Sequence, residues 1–121
     1  MKHDLNLIAF DLGASNGRAI LGRFDGSRLT MQELHRYEND YIPLNGVLYW
    51  DVMNFYQQMK LGLYAFQRGG FGSLDCFGVD TWGVDYGLLG RGGQLIGNPR
   101  SYRYAADGDH AVIYDAGVPD F

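Results

Sequence analysis

Leu5-Asn6-Leu7-Ile8-Ala9-Phe10 is a nearly continuous apolar run that stops at a carboxylate, Asp11, and the next six residues contain two glycines, Gly13 and Gly17. Apolar residues at both odd and even positions predict a strand buried on both faces. A short small-residue loop predicts an immediate return as a second strand over Arg18–Phe24. Asp25-Gly26-Ser27 carries the Asp-Gly signal of a tight hairpin. Leu29–Tyr37 then returns as a third strand, mixed in polarity and so more exposed. The opening is therefore expected to be an antiparallel meander.

The rest of the chain changes period. Residues 38–49, with Pro43 and the pair Asn45-Gly46, are expected to be an irregular connection. Asp51 can cap a helix by accepting a first-turn N–H. Val52, Phe55, Tyr56, Met59, Leu63 and Phe66 then mark one apolar stripe at helical spacing. Arg68 suits the negative end of that helix, and Gly69-Gly70 suits a left-handed cap. Leu74–Asp80 is expected to be another buried strand, parallel to the first because a helical crossover separates them. Thr81-Trp82-Gly83-Val84-Asp85 follows. Tyr86–Leu89 continues extended, and Gly90-Arg91-Gly92-Gly93 turns it into Gln94-Leu95-Ile96. Ala105–Ile113 is a weaker helical pattern. The order strand-strand-strand-helix-strand is the first part of a ribonuclease-H-like α/β fold. Such a piece alone leaves one face and one edge of its sheet poorly covered, so residues 1–121 are expected to be one partial domain of a longer protein.

Composition narrows the function classes. Ten basic and fourteen acidic side chains give a net charge of −4, and no Lys/Arg cluster suggests nucleic acid. No apolar run approaches the roughly 18 residues of a membrane span. Cys76 is the single cysteine; it excludes an internal disulfide, favours a reducing, cytoplasmic setting, and is expected to be core in its apolar strand. The three histidines show no metal-ligand spacing with it. Glycine is abundant, 18 of 121 residues, about twice the usual share of roughly 7%.

The loop after the first strand carries the candidate chemistry. In Asp11-Leu12-Gly13-Ala14-Ser15-Asn16-Gly17-Arg18 the glycines allow several backbone N–H groups to face one anion. Ser15 and Asn16 can add donors, and Asp11 can hold a hydrated Mg²⁺ beside phosphates. A glycine-bearing hairpin whose Asp11 only bonds its own loop accounts for the pattern equally well. No lysine follows, so this is not the GxxxxGK[ST] nucleotide loop.

The same segment resembles the first phosphate motif of the FGGY carbohydrate kinases, within the actin/hexokinase ATPase superfamily. His35-Arg36-Tyr37-Glu38-Asn39, Tyr49-Trp50-Asp51, Leu61-Gly62-Leu63, Phe77 to Leu89, Gly97-Asn98-Pro99 and Ser101-Tyr102-Arg103 resemble that family at matching separations. Gly-Val-Asp-Thr-Trp-Gly-Val-Asp-Tyr is most like its L-rhamnulose-phosphorylating branch. The resemblance implies ATP and Mg²⁺ as cofactors, with Gly13, Ala14, Ser15, Asn16, Gly17 and Arg18 at the nucleotide and Asp11 positioning the metal through water. It implies a small sugar, L-rhamnulose or a related ketose, at Gly83 with Trp82 and Asp85 beside it, and leaves a homo-oligomer open. It also implies that the general base and the adenine pocket lie beyond residue 121. Arg103 is followed by Tyr104-Ala105-Ala106-Asp107 where the family has Asp and a further Arg. A kinase for another ketose and a non-catalytic nucleotide-binding or scaffolding module remain alternatives.

Overall fold

The computed structural model describes residues 4–103; the expected helix over Ala105–Ile113 lies outside them. The chain divides into two units, one of residues 4–40 and 52–83, the other of residues 41–51 and 84–103.

The first unit is a four-stranded sheet with a helix on one face. Its strands are β1 (Leu5–Leu12), β2 (Asn16–Phe24), β3 (Leu29–Glu38) and, after the helix, the strand Cys76–Thr81. β1–β2–β3 is the expected antiparallel meander, and Cys76–Thr81 lies parallel to β1 on its other side. The tight turn between β2 and β3 has Gly26 at φ 101°. Asp25 Oδ1 accepts from the N–H groups of Ser27 and Arg28 at 2.8 and 2.7 Å. Those bonds, Arg28 first, hold the Asp25 carboxyl below its ordinary range.

Helix α1 spans Val52–Arg68 and ends as expected, with Gly70 at φ 68° and its N–H donating to Gln67 O. It packs over β2 and β3. The core of this unit is Ile8, Phe10, Ala19, Leu21 and Phe66, with Met59, Leu34 and Phe71 packed against it. Each large apolar side chain fully buried there contributes on the order of 1.5–3 kcal/mol. The buried stripe of α1 is Phe55, Gly62 and Phe66. Tyr56 and Leu63, expected inside, are exposed, while Gly62 is inside. A Cβ at Gly62 would lie 2.6 Å from Ala19 Cβ, so the helix approaches β2 closely there.

Two expectations of burial fail because α1 covers one face of part of the sheet. β1 is buried on the Ile8/Phe10 side, and Ala9 on the other side is exposed. Cys76–Thr81 lies past the helix and pairs with β1 alone, so all six of its residues are exposed, Cys76 included. The Phe77 ring reaches back, edge-on to Phe10 at 5.9 Å.

The crossover between α1 and that last strand is tied down by Asn6, which is 5% exposed. Its Nδ2 donates to Phe71 O and Ser73 O, both at 2.9 Å. Its N–H donates to Asp75 Oδ2, and its carbonyl accepts from Asp75 N.

The second unit holds two short strands that were expected to be irregular, β4 (Ile42–Leu44) and β5 (Val47–Tyr49), paired antiparallel. With the Cys76–Thr81 strand as β6, the numbering is complete. Asn45 and Gly46 join β4 to β5 with φ 51° and 77°, the pattern of a type I′ hairpin. Residues 99–101 run along β5: Trp50 N donates to Pro99 O, Ser101 N donates to Leu48 O, and Tyr49 bridges Arg100. The extended pair expected around residues 86–96 is present as a bridge between Leu89 and Leu95.

Candidate functional site

The loop between β1 and β2 is shorter than expected. β2 begins at Asn16, so Gly13-Ala14-Ser15 alone form the turn, and Asn16, Gly17 and Arg18 belong to the strand. Leu12 pairs with Gly17 across it. The loop is close-packed: a Cβ on Gly13 would lie 2.3 Å from Asn16 O, and one on Gly17 would meet the Tyr37 ring at 2.3 Å. The end of β3 also reaches it. Asn39 Nδ2 donates to Gly13 O at 2.9 Å, and Asn39 N donates to Ser15 O at 3.0 Å. Asn16 Oδ1 accepts from Arg36 at 3.1 Å.

Register aligns charges beneath this loop. Asp80 of β6 is opposite Asp11 of β1, Asp11 is opposite Arg18 of β2, and Arg18 is opposite Arg36 of β3. Directly opposed residues share a face of the sheet, so two acids and two bases form one row. Arg18 Nη2 donates to Asp11 Oδ2 at 2.7 Å. The pair is about one-third exposed on each side and contributes little to stability by itself. On the opposite face, burial and then the negative charge of Asp11 raise the Tyr37 hydroxyl above its usual range. Among the described residues no group of three or more His, Cys, Asp or Glu side chains is assembled.

Parallel pairing brings a second predicted segment alongside. Leu12 at the end of β1 is opposite Thr81 at the end of β6. Gly13–Ser15 and Trp82-Gly83 therefore leave the sheet next to each other at its carboxyl end, the side on which open α/β sheets take their ligands. Trp82 is half-buried, edge-on to Phe55 of α1 at 5.8 Å. Gly83 is exposed, and a Cβ added there would meet nothing within 4 Å.

Asp85 falls in the second unit. Its Oδ2 accepts from the buried Trp50 indole Nε1 at 2.6 Å and its Oδ1 from Tyr102 N at 2.8 Å. Trp50 in turn packs on Tyr41, whose hydroxyl accepts from Arg103. Beside Asp85 is a cavity of about 420 Å³, walled mainly by residues 84–88 and 96–102. Asn39, Arg36 and Asp80 lie in the family-like runs 35–39 and 77–89 but were assigned no role at this site from sequence. Register alone brings the last two into the row, and an asparagine just after a strand gives no signal beyond that of a turn.

Over 98 residues, 81% of its length, the chain is 42% identical to a rhamnulokinase from Bacteroides thetaiotaomicron. It belongs to the FGGY carbohydrate kinases. The FGGY chain spans about a fifth of that relative's length, 20%. Its fold is shared with a gluconate kinase from Lactobacillus acidophilus, at a TM-score of 0.71 and 13% identity over 94% of this chain and 22% of that one. It is shared too with a xylulose kinase from Rhodospirillum rubrum, at a TM-score of 0.66 and 17% identity over 93% of this chain and 24% of that one. The chain thus has the α/β fold of these sugar kinases. No protein-family model matches it. No helix among its described residues is long and apolar enough to cross a membrane.

Proposed function

We propose that these residues form the opening part of the N-terminal domain of an ATP-dependent sugar kinase that transfers the γ-phosphoryl group to L-rhamnulose, giving L-rhamnulose 1-phosphate, in the cytoplasm. The observation that carries this reading is the pairing of Leu12 with Thr81, because it sets a phosphate-type loop and the Trp82-Gly83 segment side by side at one end of the sheet. Two substrates that must react need such neighbouring sites. The 42% identity to a rhamnulokinase supports the choice of sugar.

The residues present suit the cofactors. Gly13 has no room for a side chain against Asn16 O, so the backbone itself is the surface offered to a phosphate, with Ala14 to Arg18 continuing it. Asp11, with Asp80 opposite it, suits Mg²⁺, which keeps several waters and is held by one or two carboxylates plus phosphates. When bound, Mg²⁺ supplies charge neutralisation on the phosphates. Arg18 orients the Asp11 carboxylate through one of its oxygens. Gly83 gives a sugar open backbone to lie against, Trp82 an apolar ring, and Asp85 belongs to the adjoining motif. The proton acceptor for the attacking hydroxyl belongs, in this reading, to the rest of the parent protein.

The test is ATP consumption with L-rhamnulose by the parent protein, its Asp11→Asn and Gly83→Val variants, and residues 1–121 alone. The parent turns over. Asp11→Asn lowers kcat sharply, Gly83→Val chiefly raises the sugar KM, and the 121-residue chain shows no sugar-dependent turnover. A parent protein that ignores L-rhamnulose but phosphorylates another ketose would move the assignment within the family. Turnover by the 121 residues at the parent's rate would refute the division of labour.

A further inference from the structure

Asn39 follows directly on β3 and is 6% exposed, yet both of its donor groups point at the Gly13–Ser15 turn. The side-chain amide takes Gly13 O and the backbone N–H takes Ser15 O. Peptide bonds here are all trans among the described residues, and in a planar trans peptide the N–H points opposite to the C=O. With the Gly13 carbonyl held toward Asn39, the Ala14 N–H is turned away from it. With the Ser15 carbonyl held toward Asn39, the Asn16 N–H is turned away too. One residue thus fixes two donor directions, those of Ala14 and Asn16, each turned away from Asn39.

We propose that Asn39 is the positioning residue of this loop, setting the Ala14 and Asn16 N–H groups for the phosphates of ATP. The proposal rests on the reading of the loop as phosphate-binding. Asn39 touches no phosphate itself; it acts through the two carbonyls it holds. The two bonds are separable, because Asn39→Ala removes the side-chain donor and keeps the backbone N–H on Ser15 O. Asn39→Ala therefore releases the Gly13–Ala14 peptide and leaves the Ser15–Asn16 peptide fixed. General loosening of the fold would affect both alike.

The experiment is amide NMR on the 121-residue chain, titrated with MgATP and separately with magnesium tripolyphosphate. In the unaltered chain the Ala14 and Asn16 amides shift together. In Asn39→Ala the Ala14 resonance moves before any ligand is added and its ligand-induced shift is lost. The Asn16 response persists, and apparent affinity falls about three- to tenfold, the range of one hydrogen bond. Asn39→Asp, which sets a carboxylate against Gly13 O, gives the same selective loss. Equal behaviour of Ala14 in all three proteins would overturn the proposal. Failure of both amides to move in the unaltered chain would instead overturn the phosphate reading, with the ligand-free Ala14 resonance still judging the brace. Should both variants lose the sheet, seen at the Phe10 and Ala19 amides, hydrogen exchange of the Asn39 Nδ2 protons in the unaltered chain decides. Slowed exchange supports the brace, and exchange at the rate of a free carboxamide refutes it.

Discussion

Gly13→Ala asks whether the loop needs glycine for space or only for freedom. The φ of Gly13 is not positive, so alanine can adopt its backbone conformation. On that ground alone the substitution would stabilise by about 0.4–1 kcal/mol through the unfolded chain. Against it stands a Cβ placed 2.3 Å from Asn16 O, where a carbon–oxygen contact of about 3.3 Å or more is ordinary. The obstacle is backbone, so the turn must open by roughly 1 Å, and overpacking of this kind costs about 1–3 kcal/mol. The net expectation is a loss of roughly 1–2 kcal/mol, small enough beside a typical 5–15 kcal/mol for the chain to remain folded. A displacement near 1 Å at reacting groups can cost about 10²-fold in rate. Urea denaturation should show a lower midpoint at unchanged slope, and the parent protein should lose about that factor in kcat/KM for ATP. A more stable variant with unchanged ATP kinetics would refute the close-packed turn.

Gly62→Ala should cost about 1 kcal/mol in the same denaturation assay, since overpacking against Ala19 Cβ outweighs a helix-propensity gain of about 1 kcal/mol; Ala19→Gly in the same chain should recover most of it, and a stabilised single variant would contradict the close helix–strand approach. Tyr37 has a folded pKa above its unfolded value, so its contribution is complete below about pH 10 and lost as pH rises through the raised value. Tyr37→Phe should flatten that alkaline limb in pH-dependent unfolding while leaving neutral-pH stability little changed, because the hydroxyl has no hydrogen-bond partner among the described residues; an unaltered limb would remove Tyr37 as its source.

Local chemistry was legible wherever it acted alone. The Asp25-Gly26 turn, the left-handed Gly70 and the βββαβ order each follow from residues adjacent in sequence. What escaped was decided by neighbours far along the chain. β4 and β5 have three residues each, too few for a period, and residues 99–101 lie along β5. Tyr56 and Leu63 fit the helical stripe yet face out, because the helix settles on Gly62, the residue that allows the closest approach. Cys76–Thr81 is apolar enough to suggest a buried strand, but its place beyond the helix leaves it exposed. At the site, Asp11, the glycines and the Trp82-Gly83 segment were marked by their own sequence. Their partners Asp80, Arg36 and Asn39 lie in family-like runs but had no assigned role there, since strand register brings Asp80 and Arg36 to the site and two hydrogen bonds bring Asn39.

The four hydrogen bonds of Asn6 have a reach greater than their length. A slip of β6 by one residue would turn every side chain of that strand to the opposite face, and its apolar residues are exposed enough to offer little resistance to such a slip. Asn6 resists it by gripping residues 71, 73 and 75 just before β6 begins. Five positions along β1, about 17 Å at roughly 3.3 Å per residue, the same choice of register decides whether Asp80 faces Asp11 or turns its back on it. The strand works as a ruler whose zero mark is set by a buried amide at one end, and the spacing of two carboxylates is read off at the other.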